Sequence, residues 1–325
     1  MGFSRQTFVK RQIFANVPPI SPDEVDLRGK TAIVTGSNIG IGLECARQIL
    51  DLGLSYLILA VRSTAKGEDA REELLKGRRG EEHIVEVWQL NLSTYDSIIQ
   101  FAKRARTLNR LDMVIHNAAL TKNALELNPI TGHDEVNQVN YLSLALLVIL
   151  VLPILRDKNR TTSNRRQNPG RLVIVSSDTA ACERYATSKL LGQLFLAELA
   201  SRIPSSVTIV NAPNPGLCYG SGLTRDMDGG ALGKLIYIFR RTLGRPTAVG
   251  ARSLVDAAVR HGPKRHGQYL EDGKVQPMAP LVYTPEGRRL ATVVWEETMT
   301  EFAFAGASEI ITDLTPGWDS LHIDP

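Results

Sequence analysis

Residues 175 to 190, VSSDTAACERYATSKL, bring a serine pair, a tyrosine and a lysine close together in the chain. Tyr185 and Lys189 are four apart, so on a helix they share one face. An ammonium beside a phenol favours the phenolate, and such a phenol can give its proton to an oxygen that is gaining negative charge. Ser176 and Ser177 precede the tyrosine by nine and eight residues, and a serine hydroxyl there could donate to the same oxygen. The connection from Asp178 to Arg184 is short. An extended chain covers ~3.3 Å per residue, so it still suffices to join a strand end to a neighbouring helix start.

The elements that would hold these groups are legible as short apolar runs separated by longer helical patterns. TAIVTG, YLILAV, IVEVWQL, LDMVIHN, RLVIVSS and VTIVNAPNP read as strands, and GLECARQILDLG, AKGEDAREELLKG and LLGQLFLAELASR as helices. Continuous Val/Ile/Leu runs are the pattern of buried parallel strands, and their alternation with helices predicts a doubly wound α/β sheet, a Rossmann fold. The predicted organisation is an N-terminal arm over 1–26, one domain over 27–300 and a tail over 301–325. Within the domain a Gly-rich and then basic amphipathic segment, 217–246, reads as a lid.

The first strand runs into TGSNIGIG. Gly36, Gly40 and Gly42 allow a tight turn and close approach of backbone, so Gly36, Ser37, Asn38, Ile39, Gly40 and Gly42 are candidates to hold a pyrophosphate at a helix N-terminus. The second strand ends in Arg62, with Lys66 following, where an NAD site usually offers a carboxylate. Those charges suit a 2′-phosphate, and NADP(H) is expected over NAD(H).

Composition narrows the classes. The chain has 325 residues, a hydrophobic content of 43% and a net charge of +4. The one basic cluster, Arg160, Arg165, Arg166 and Arg171, lies in a polar stretch and reads as a solvated loop, not a nucleic-acid surface. Cys45, Cys182 and Cys218 form neither a disulfide framework nor a zinc site, and His116 and His133 lack ligand neighbours, so no metal is expected. The N-terminus shows no signal peptide or lipidation pattern. The apolar run Leu142–Leu155 is shorter than the ~18 residues a membrane span needs and reads as a buried helix. A cytoplasmic location without an integral membrane segment is expected, and a homo-oligomer stays open.

The order of short motifs is more specific. TGSNIGIG, NLS at 91–93, HNAAL at 116–120, QVNYLS at 138–143, VSSDTA, YATSK and NPG at 214–216 resemble the short-chain dehydrogenase/reductase family over residues 27–300. GARSLVDAAV, HGQYL and VYTPEGRRLATVVWEETM are similar to its fungal branch, related to retinol-dehydrogenase-like and WW-domain oxidoreductase-like members, many of which act on secondary metabolites. The resemblance implies Tyr185 as general acid, Lys189 as the residue that lowers its pKa and holds the nicotinamide ribose, and Ser177 as the substrate-oxygen donor. It implies that Asn140 anchors a proton-passing water. Asn117 would steady the sheet beside the ribose, Asn91 and Leu92 flank the adenine, Pro215 and Gly216 shape the nicotinamide pocket, and Thr224 reach the carboxamide or phosphate.

Two departures stand out: Asn91 replaces the usual Asp, and the serine-to-tyrosine connection is shorter than the family's. The expected function is NADPH-dependent reduction of a hydrophobic ketone, or oxidation of the alcohol, in secondary-metabolite biosynthesis. The alternative is an NADP-binding protein whose shortened loop has left it a structural or regulatory role.

Overall fold

A computed structural model of the chain describes residues 12, 17–78, 82–160, 169–177, 183–223 and 241–315. Strand β1 (Thr31–Thr35) leads into helix α1 (Gly40–Asp51), β2 (Tyr56–Val61) into α2 (Thr64–Leu75), and β3 (Ile84–Gln89) into α3 (Tyr95–Ala105). After β4 (Met113–His116), a helical lead-in, Glu135–Asn137, passes through a π-helical turn, Gln138–Leu142, into α4 (Ser143–Arg160). Then come β5 (Gly170–Ile174), α5 (Glu183–Arg202), β6 (Thr208–Asn214), the short β7 (Cys218–Tyr219) and β8 (Arg245–Pro246), and α6 (Thr247–Val259). The chain closes with β9 (Gln268–Glu271), β10 (Lys274–Gln276), α7 (Pro285–Glu301) and α8 (Ala307–Leu314).

The main sheet has the order β10-β9-β6-β5-β4-β1-β2-β3. All its pairings are parallel except β9 with β10. The expected doubly wound sheet is what forms. Its strands run outward in both directions from β1 and β4, so the crevice beyond their carboxyl ends is the switch point where such sheets bind ligands. Central β1 and β6 are buried at every residue, whereas edge strand β3 is partly exposed.

Each face of the sheet is covered by helices. Ala32, Val34, Met113, Ile115 and Val173 pack with α1 and α6, while Ile33, Val114, Leu172 and Ile174 pack with α3, α4 and α5. The run from Leu144 to Leu152 lies wholly inside this second layer, as expected of a buried helix. The stretch Glu135–Lys158 is long and apolar enough to cross a membrane by length and composition, but here it is enclosed by protein.

Three features differ from the sequence reading. Arg171 sits in β5 in register with Met113 and Ile209, so it belongs to the sheet and not to a solvated loop; Arg165 and Arg166 lie outside the described residues. The β9–β10 hairpin went unread, although Asp272 and Gly273 both have positive φ, as an Asp-Gly hairpin turn requires. The packed body extends beyond residue 300, because Phe302, Ala307, Ile311 and Leu314 join the layer over α4. Most of the lid segment, 224–240, falls outside the described residues, but its two roots pair as β7 and β8.

Trp295 of α7 stacks on Phe195 of α5 at 5.6 Å and 20°, and the Arg202 guanidinium covers its other side. Trp295→Ala is expected to lower the unfolding free energy by about 3–5 kcal/mol, read as a shift of the urea midpoint.

Candidate active site

The site is assembled where four parallel strands end. After β1 the chain turns at Gly36, with φ +63°, and reaches α1. A Cβ on Gly36 would lie 2.9 Å from Ala118 Cα, and one on Gly42 would lie 2.5 Å from Asn117 Nδ2. Only glycine lets this turn press so closely against the end of β4. Ser37 is buried and donates to Val34 O at 2.9 Å, whereas Asn38 is half-buried and Ile39 exposed, with Ile39 facing Gly222 at the root of the lid segment. The first turn of α1 holds no acidic residue and no side chain caps it, which leaves its amide donors and positive dipole end available to an anion. This cradle fits a pyrophosphate.

At the end of β2 both Arg62 and Lys66 are exposed, at the start of α2. Ser63 caps that helix by accepting from Lys66 N, and neither cation has an ion-pair partner among the described residues. Beyond β3, Asn91 folds its side chain into a local turn, Oδ1 accepting from Ser93 N at 3.1 Å. Leu92 is buried in the core cluster, just beyond the end of β3.

The junction of β1, β4 and β5 is the centre of the arrangement. Thr35 Oγ1 accepts from Asn117 N at 3.1 Å and Ala118 N at 3.0 Å, while Asn117 Nδ2 donates to Thr35 O and Gly36 O. Asn117 thus ties the end of β4 to β1 and to the glycine turn. In a parallel ladder a residue's N–H and C=O reach residues two apart on its neighbour. Val175 N donates to His116 O, so Val175 O would ordinarily accept from Ala118 N. Thr35 has taken that donor. The unclaimed carbonyl accepts instead from Lys189 Nζ, at 2.9 Å.

Lys189 is 8% exposed, and burial pushes its ammonium down to about 8. Its Nζ lies 5.7 Å from the centroid of the half-buried Tyr185 ring, so the structure brings these two together on α5. Gln193, one turn on, donates from Nε2 to Ser176 Oγ at 3.3 Å and Ser177 O at 3.4 Å, and accepts from Ala279 N. Both serines are thereby held at the same edge, Ser176 buried and Ser177 half-buried. Because α5 begins at Glu183, the connection outside the described residues is 178–182. Arg184 anchors the helix start on the opposite side, donating to Lys122 O and Asn123 O.

Asn140 is committed to protein partners. Its Oδ1 accepts from Leu120 N, and its Nδ2 donates to Leu120 O and Ser188 Oγ, at 2.8, 2.8 and 3.1 Å. Ser188 in turn donates to Tyr185 O. The side-chain amide therefore braces α5 through backbone and hydroxyl, with both Nδ2 donors used inside the protein. Gly216, φ +73°, donates its N–H to Asn214 Oδ1, and Pro215 is buried beside it. Gln12 of the N-terminal arm bonds both N and O of Leu217. Arg245, paired with Asp272 at 2.8 Å, donates to Gln12 O. Thr224 lies outside the described residues.

Thr35, Gln193, Ser188 and Gln12 were absent from the sequence-derived candidates. Thr35 and Ser188 stood inside quoted motifs, TG and YATSK; nothing local marks Gln12 or Gln193. Among the described residues no cluster of His, Cys, Asp or Glu could hold a metal.

A family profile described as short chain dehydrogenase matches residues 30–228. Short-chain dehydrogenase fogG of Aspergillus ruber is 46% identical, with 94% of each chain covered, and the short chain dehydrogenase/reductase mfmJ of Annulohypoxylon moriforme is 39% identical over 96% of this chain and 95% of its own. The fogG alignment spans 332 positions although 94% of this 325-residue chain enters it, so that relative carries residues this chain lacks. A Shigella flexneri short chain dehydrogenase solved in complex with NADP has the same fold, with a TM-score of 0.56 and 21% identity over 76% of this chain and 98% of that one.

Thr35→Val keeps the shape of the side chain and removes the acceptor for two amides. The expected loss is about 2–4 kcal/mol in urea unfolding, and Thr35→Ser, which keeps the hydroxyl, is expected to stay near wild type.

Proposed function

Since the chain belongs to the short-chain dehydrogenase/reductase family, we propose that it is an NADPH-dependent ketoreductase, or the reverse alcohol dehydrogenase, acting on a hydrophobic small molecule in fungal secondary metabolism. Membership makes it an oxidoreductase acting on a CH–OH or C=O group with a nicotinamide cofactor. The observation that carries the finer reading is the buried Lys189 ammonium beside the Tyr185 ring, at the open edge of the sheet. When bound there, the cofactor supplies a hydride to a carbonyl carbon.

The chain's own residues do the rest. Tyr185 gives its phenolic proton to the carbonyl oxygen as negative charge develops, and Lys189 stabilises the phenolate that remains. Lysine has three donors and Val175 O uses one, so another can reach a ribose hydroxyl. Ser177, held by Gln193, is the second donor to the substrate oxygen. In the alcohol-oxidising direction the same phenolate takes up the hydroxyl proton.

The preference for NADPH rests on Arg62 and Lys66, exposed and without ion-pair partners among the described residues at the start of α2. The apolar substrate class is supported by Leu125, Leu127 and Ile130, exposed at 62, 63 and 71% on the loop that Arg184 ties to α5.

Tyr185→Phe is expected to cut turnover of a ketone panel by ~10²–10⁴ while NADPH binding, read by fluorescence titration, changes little. Turnover near wild type would remove Tyr185 from the chemistry, and a wild-type chain that binds NADPH but reduces no ketone would favour the binding role. Arg62→Asp is expected to move the NADPH to NADH affinity ratio by about two decades toward NADH. Unchanged ratios in paired titrations would take Arg62 out of the site.

A further inference from the structure

His116 ends β4 and is 2% exposed, and neither ring nitrogen has a hydrogen-bond partner among the described residues. A buried imidazole without partners is costly, because one lone pair and one N–H have both lost water. An apolar side chain of similar size would pack there without that cost, so packing does not account for a histidine. Its side chain shares a sheet face with Val114, the face covered by α4 and α5. The diverted Val175 carbonyl draws Lys189 Nζ to the same place, over the end of β4. Lys189 brings only donors, and His116 offers an acceptor. The two are not within direct hydrogen-bonding distance, but a buried water with two donors and two lone pairs joins such groups.

We propose that His116 is a positioning residue for Lys189, acting through one bridging water that accepts from Lys189 Nζ and donates to the unprotonated ring nitrogen. The role rests on the reading of Lys189 as the partner of Tyr185. Burial and the neighbouring Lys189 charge hold His116 down at about 3, so the ring is neutral throughout the working range and serves as an acceptor, not as a competing cation. A hydrogen bond to the charged form of Lys189 opposes the burial that weakens it. The other titratable group packed on Lys189 is Tyr185, on its own helix. On the same sheet face, two strands from β5, Glu271 is engaged by Asn214 Nδ2. The π-helical turn of Asn140 and the end of β5 contribute uncharged groups. His116 therefore sets how much of Lys189 is protonated near neutral pH.

The test titrates Lys189 Nζ directly by nitrogen-15 NMR of protein labelled at lysine and histidine, the lysine signal being assigned with Lys189→Met and the ring signals with His116→Leu. In wild type one His116 ring nitrogen is expected to show the shift of a hydrogen-bonded acceptor, on a ring that stays neutral from pH 5 to 9. Two free ring nitrogens would overturn the proposal without any variant. In His116→Leu the Lys189 titration is expected about one pH unit lower, and in His116→Asn, which keeps an acceptor, close to wild type. An unmoved titration in folded His116→Leu, or an equal fall in both variants, would also overturn it. The reading of Lys189 as partner of Tyr185 is tested separately by the pH profile of ketone reduction. If the NMR shift appears and the profile does not follow it, that reading fails while the His116–water–Lys189 link stands.

Discussion

One hydroxyl diverts the course of the central sheet. By accepting from two consecutive amides, Thr35 pulls β4 out of its ladder at Asn117 and leaves the Val175 carbonyl without a backbone donor. A buried carbonyl must find a partner, and the donor it finds is the ammonium of Lys189. The same diversion presses Ala118 against Gly36, so the cofactor turn and the lysine are fixed by one break in a strand pairing. Changes near the β1–β4 junction would therefore reach both halves of the site at once.

Holding a lysine in this place runs against the surrounding core. The layer of α4 and α5 that makes the sheet stable also removes water from the ammonium, and a buried charge is expensive unless its donors are used. One donor is used within the protein. The others are left for water and ligand, so the protein alone does not complete the environment of this lysine. Asn140, Ser188 and Gln193 serve rigidity: each ties α5 to a neighbouring element, so the lysine and tyrosine keep their places while the site fills.

Much of this was legible in the sequence for physical reasons. Buried parallel strands must be continuously apolar, so six of them could be read from composition alone. The glycines at 36 and 42 were legible because close backbone approach admits no other residue. The placing of Tyr185 with Lys189 followed from helical spacing. What could not be read depends on three-dimensional pairing. Nothing near Thr35 says that its hydroxyl faces Asn117, 82 residues away. Asn140 carried the right identity, but its amide is spent on Leu120 and Ser188, which spacing does not reveal. Leu92 illustrates the converse: its position just after β3 was apparent, whereas the burial of its side chain in the core was not. The β9–β10 turn does carry a local mark, since Asp272-Gly273 is a strong turn signal between two short strands.

The pairing of Cys218–Tyr219 with Arg245–Pro246 has a consequence for how this fold can vary. Paired strands stand about 5 Å apart, so two stretches distant in sequence are anchored side by side. Ion pairing of Arg245 with Asp272 fixes the return point from below. The penalty for closing a chain between two anchored points grows only with the logarithm of the length enclosed, about 0.6 kcal/mol per doubling. The two anchor points are held by the strand pairing and the ion pair themselves, so a longer or shorter sequence between them would change that penalty little.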